Sequence, residues 1–217
     1  MKRWFFLFLF LFVLASGARA EDDFQSWNQV SLKVPVTDKV SLTTFMDARL
    51  TEDVRELGIY YFSERLNVKA SEHWTLGLNY TYLLSRSGDE YRKQDRVELE
   101  ANPHGSLGPG LEWDVRNRLE FRWIEDQGAD NWRFRQRWTL KHPFKGRKFL
   151  KAIYANSEFF YDQKRNIFSE NRSVPLGLSW KFTNNLSLQT YYLIQSQKTT
   201  AGWRTNHVLG LLWGYVF

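Results

Sequence analysis

The sequence of 217 residues contains no cysteine, 2 methionines and 5 prolines. Without cysteine there is no disulfide scaffold and no thiolate metal site. Long apolar runs are also missing. The longest, Trp4 to Leu14, falls well short of the roughly 20 residues a membrane helix needs. A mean hydropathy of −0.50 agrees in excluding a bundle of membrane helices. Helix start and stop signals are absent after residue 20. Aromatic residues are abundant: 10 Trp, 10 Tyr and 17 Phe make up 17% of the chain. That content excludes a disordered polycation.

The first twenty residues read as an address. Lys2 and Arg3 precede the apolar run, and Ala18-Arg19-Ala20 closes it. A positive start, a short apolar middle and an Ala-x-Ala end are the parts of a secretory signal peptide. We therefore expect cleavage after Ala20 and a mature domain over 21–217. Without Lys2, Arg3 and Arg19 the mature chain carries 27 basic against 24 acidic residues. The net charge of the full chain, +6, thus overstates the basic character, and nucleic acid is not an expected partner.

The mature chain alternates with period two. From Leu111 to Trp123 the odd positions are apolar except Asn117, and every even position is charged. On a helix this order would scatter charge around the whole cylinder, whereas on a strand it gives one apolar and one ionic face. Trp132, Phe134, Trp138 and Leu140 repeat the pattern against Arg133, Arg135, Arg137 and Lys141. Similar alternation gives eleven candidate strands, near 24–34, 39–50, 54–69, 73–86, 92–103, 110–124, 131–141, 148–161, 171–182, 186–198 and 203–217. Facing is blurred in the third and eighth.

Most of these strands are far longer than the five or six residues usual in soluble sheets. About 9–11 residues cross a bilayer as a tilted strand. Trp74, Trp123, Trp132, Trp203, Trp213 and Tyr215 sit near strand ends, where interfacial girdles form. The expected fold is an all-β antiparallel transmembrane β-barrel of the outer membrane. Short polar turns at 37–39, 71–73 and 184–185 share one rim, which we expect to be periplasmic. The alternate connections, near 85–91, 125–130 and 162–170, read as longer, external loops. Eleven strands conflict with the even number usual in single-chain bacterial barrels, so 12 strands are expected, with 10 as the alternative.

The sequence resembles the uncharacterised outer-membrane family called domain of unknown function 2490. The resemblance rests on Arg116-Asn117-Arg118-Leu119-Glu120-Phe121-Arg122, on Trp132-Arg133-Phe134-Arg135-Gln136-Arg137, on Asn206-His207-Val208-Leu209 and on the terminal Phe217. It implies a barrel of the bacterial outer membrane with no assigned activity. It also implies that Phe217 is the signal read by the barrel-assembly machinery. In size and basic interior the chain is similar to small porins for acidic oligosaccharides, without any matching substrate motif.

Alternation assigns Arg96, Glu98, Glu100, Glu112, Asp114, Arg116, Arg118, Glu120, Arg122, Arg133, Arg135 and Arg137 to the lumen. Two readings follow. The charges line a narrow water-filled channel whose arginine excess favours small anionic solutes, or they pair with one another and close the barrel. An enzyme is not expected. Membrane-barrel lipid hydrolases need a histidine beside a serine or carboxylate near the external rim. His73, His104 and His142 fall near predicted periplasmic turns, and His207 has no such companion. No cofactor and no metal site are expected either. The expected partners are outer-membrane lipid, the assembly machinery and small anions.

Overall fold

The computed structural model describes residues 23–127 and 131–217. The expected signal peptide and its cleavage after Ala20 lie outside them. Eleven strands are found among the described residues: β1 (Asp23–Pro35), β2 (Val40–Thr51), β3 (Glu56–Lys69), β4 (Trp74–Ser87), β5 (Glu90–Ser106), β6 (Glu112–Ile124), β7 (Trp132–Pro143), β8 (Leu150–Asp162), β9 (Ile167–Lys181), β10 (Leu186–Lys198) and β11 (Trp203–Val216). Each pairs antiparallel with its sequence neighbours, and β1 closes the barrel against β11.

That closure corrects the strand number. β1 and β11 pair in parallel over a continuous register from Asp23↔Asn206 to Lys33↔Val216. A parallel seam removes the parity rule, because the last strand runs in the direction of the first. The barrel is therefore not wholly antiparallel, and neither 12 nor 10 strands is right. β1 starts at one rim and β11 ends at the other, which we call the N-terminal and C-terminal rims.

Loop length is the second correction. The C-terminal rim has connections of four to six residues, and the N-terminal rim has two to seven. The connections expected to be long are mostly consumed by strand. β4 and β5 run on to a turn at Gly88 and Asp89, and β9 already begins at Ile167. Positive φ at Gly88 (67°) lets that two-residue turn close.

Side chains that face inward include Asp47, Ser63, Glu98 and Glu120, all sealed from solvent. The outer face carries Trp74, Trp123, Trp132, Trp203, Trp213 and Tyr215, all exposed. Trp74, Trp213 and Tyr215 lie toward the C-terminal rim, the other three toward the N-terminal rim. Blurred alternation in β3 and β8 has a plain cause. In β8 the apolar Phe160 points inward and is fully buried, while Phe159 points outward. In β3 the outward position opposite Thr44 is Glu64.

Outward polar residues near the strand middles satisfy one another. The Thr44 hydroxyl donates to Glu64 at 2.8 Å. Gln136 donates to Asn117 at 2.8 Å, and Asn117 in turn donates to the Ala101 carbonyl at 2.9 Å. The Ser157 and Ser173 hydroxyls are 3.0 Å apart. Lateral pairing of this kind removes the cost of an unsatisfied polar group on an apolar face.

Candidate functional site in the barrel interior

Strands β5 to β8 place the charged faces read from the sequence against one another. The register sets Glu98 opposite Glu120 and Glu100 opposite Arg118. On the other side of β6, Arg118 faces Arg135 and Glu120 faces Arg133. Like charges directly opposite would repel, so each pair needs a counter-ion from a neighbouring rung. Arg118 reaches Glu98 at 2.7 Å, contacts Glu100 and lies 3.7 Å from Glu120. Glu120 takes Arg133 at 2.7 Å and Arg135 at 2.6 Å. Arg135 continues to Glu158 at 3.0 Å, and Glu158 also holds Arg116 at 2.6 Å. The result is one connected ion lattice.

The opposite wall carries an apolar patch among buried polar side chains such as Gln29, Gln195 and Asn206. Trp27, Val174, Leu193 and Val208 form a buried cluster, with Tyr154 and Tyr191 packed on it. Arginines join the two walls through aromatic faces, where a guanidinium gains from the ring quadrupole. The guanidinium carbons of Arg135 and Arg172 lie 4.4 and 4.7 Å from the Phe160 ring centre. Arg172 and Arg49 lie 5.0 and 3.7 Å from that of Trp27. Tyr191 reaches across β11 to donate to Gln29 on β1 at 2.9 Å. Gly210 makes that possible, since a Cβ there would collide with the Tyr191 ring. Ion pairs and aromatic rings together crowd the middle of the bore.

Among the described residues, a cavity opens toward each rim. The C-terminal cavity, about 430 Å³, runs from Lys141 and Ser179 inward to Trp27 and Arg49. Its lining holds eight arginine or lysine side chains against two carboxylates, Asp114 and Glu158. The N-terminal cavity, about 780 Å³, is mixed in charge, with Asp23, Asp53 and Glu56 beside Arg55, Arg86 and Arg204. Trp27 and Arg49 line both cavities. Arg49 is held there by Asp47, 2.8 Å away and inaccessible to solvent. The septum between the cavities is therefore an aromatic ring under an ion-paired arginine.

The twelve residues assigned to the lumen do not form a single class. Glu98, Glu100, Arg118, Glu120, Arg133 and Arg135 belong to the lattice. Arg122 closes it toward the N-terminal rim, 2.8 Å from Asp162 and bonded to Asn131. Arg96 donates to Gln94 at 3.0 Å. Glu112 and Asp114 sit near the C-terminal rim, half exposed, with Lys141 at 2.9 Å and Arg137 at 3.9 Å. Arg116 and Arg137 line the C-terminal cavity. Phe217 lies beyond β11, its amide donating to the Lys33 carbonyl at 3.0 Å.

Sequence reasoning missed Asp47, Arg49, Arg65, Glu158, Asp162, Glu170 and Arg172, which complete the interior. Most had a legible signal. Asp47 and Arg49 alternate with Met46, Ala48 and Leu50, as a lumen pair should. Glu158 had none, because its strand mixes polar and apolar residues on both faces. The histidines at 73, 104 and 142 lie at the C-terminal rim. His207 meets the Tyr192 hydroxyl at 2.6 Å through Nδ1.

The family described as protein of unknown function (DUF2490) matches residues 24–206, almost the whole described barrel. No curated protein matches the sequence.

Proposed function

We propose that this chain, which belongs to the DUF2490 family, is an outer-membrane barrel with a closed bore and a basic vestibule at its periplasmic rim. The observation that carries this reading is the lattice from Glu98 through Arg118, Glu120 and Arg135 to Glu158. Its members are buried, and Arg135 stacks on the Phe160 ring, an arrangement that favours a bore shut to water at mid-height. Strands of 12 to 17 residues and aromatic residues near both rims fit a bilayer-spanning barrel. The longest connection, between β6 and β7, lies at the N-terminal rim, which argues that the C-terminal rim faces the periplasm.

A narrow anion channel is the second reading. It is favoured by the sharing of Trp27 and Arg49 between the two cavities, because movement of these side chains would join them.

Absence of native cysteine makes the topology directly testable. Single-cysteine variants Ala201→Cys, at the N-terminal rim, and Lys145→Cys, at the C-terminal rim, are produced in a Gram-negative host. Intact cells are then treated with a maleimide too large for porins. Labelling at 201 alone, in protein that fractionates with the outer membrane, is the expected result. Labelling at 145 alone would invert the orientation, and fractionation away from the outer membrane would end the reading.

A further inference from the structure

We propose that the C-terminal vestibule is a binding site for a small oxyanion, a phosphate or carboxylate group held between Arg116 and Arg137. The inference deepens the proposed function and rests on it. Arg116 and Arg137 are register partners on β6 and β7, so two guanidinium groups start from directly opposed positions. One rung further in, the opposed pair Arg118–Arg135 is compensated. Arg118 and Arg135 share Glu98, Glu100, Glu120 and Glu158 among them. At the Arg116–Arg137 rung the compensation is spread thin. Arg116 has only a share of Glu158, which also serves Arg135. Arg137 faces the same Glu158 across the β7–β8 register, and its ion pair is with Asp114 at 3.9 Å, at the outer limit of such a contact and half exposed.

Hydrogen bonding points to the same rung. The Nε atoms of Arg116 and Arg137 and the hydroxyl of Thr139 are buried without a hydrogen-bond partner. All three residues line the one cavity. Buried donors left unpaired within the protein call for an acceptor. A planar or tetrahedral oxyanion accepts from two guanidinium forks at once. Across the cavity Arg65 adds a further cation. It is stacked 3.9 Å from the Phe45 ring centre, and its nearest acceptor is the neutral Ser63 hydroxyl at 3.4 Å. The volume, about 430 Å³, lies within the range of pockets for small ligands.

Calorimetric titration of the folded, detergent-solubilised full chain with inorganic phosphate and with glucuronate, at fixed ionic strength, tests the site. Saturable binding of one or both is expected, and the stronger probe identifies the oxyanion. Arg137→Gln should weaken binding at least tenfold, and Thr139→Val should weaken it less. Lys148→Gln removes a charge from the same rim outside the cavity and should leave affinity unchanged. Removing Arg137 also relieves like-charge opposition, so the variant should be at least as stable as wild type without phosphate. It should, however, lose the stabilisation phosphate gives. No saturable binding of either probe, or equal losses in Arg137→Gln and Lys148→Gln, would overturn the proposal. Conductance is not part of this readout, so an open bore would refute the closed barrel without deciding the site.

Discussion

Glu120 takes charge-assisted hydrogen bonds from Arg133 and Arg135 and is inaccessible to solvent. Truncating it leaves two buried guanidinium groups short of their counter-ion. Breaking such a pair typically costs about 3–5 kcal/mol, so Glu120→Ala should lower unfolding stability by that order in a denaturant titration. Glu112→Ala at the solvated rim should cost less than about 1 kcal/mol. Equal effects at the two sites would contradict a buried lattice. Gly210→Ala is expected to be damaging for a different reason. The added methyl meets the Tyr191 ring, which must move and give up its bond to Gln29. Near-ultraviolet circular dichroism would register the lost tyrosine packing. At this scale the sequence showed which residues turn inward, because a period of two in β5 to β7 is unambiguous. It could not show which arginines are neutralised. The Arg116–Glu158 pair joins residues 42 apart in sequence, and it depends on a register that alternation leaves open.

The strands were legible because each is long and most alternate cleanly. Their ends fall close to the observed ones, from Trp203 at the start of β11 to Lys69 at the end of β3. Two features were not legible. Parallel closure of β1 on β11 is a property of the whole ring, and no single segment encodes it. Connection length was misjudged because charged, turn-like residues such as Glu90 and Ser169 lie inside strands. Outward polar residues give a prediction at this level. Glu64 faces away from the bore near the middle of β3, with Thr44 as its hydrogen-bond donor. A carboxylate on a lipid-facing strand is unfavourable. In a bilayer, the double variant Glu64→Leu with Thr44→Val should therefore be more stable by on the order of 1 kcal/mol. Unfolding from liposomes measures this. A loss of stability would argue that the outer face at this height meets water or a polar partner.

At the scale of the molecule, the described residues form a ring of eleven strands with an ionic lattice, an apolar cluster facing it and two cavities that meet at Trp27 and Arg49. The same side chains that suggested an anion filter carry out two tasks. In the proposed reading Arg118, Arg133 and Arg135 hold the barrel shut, while Arg116 and Arg137 face the C-terminal cavity. Reversing charge at 133 or 135 should therefore unfold or open the barrel, whereas reversal at 137 should chiefly alter what the vestibule attracts. The most direct measurement is planar-bilayer recording of the mature protein, shown to be folded, under a salt gradient. A closed lattice predicts no steady conductance from wild type and the appearance of conductance once Glu120, Arg133 and Arg135 are truncated together. A steady, ohmic current through the wild-type protein would contradict it.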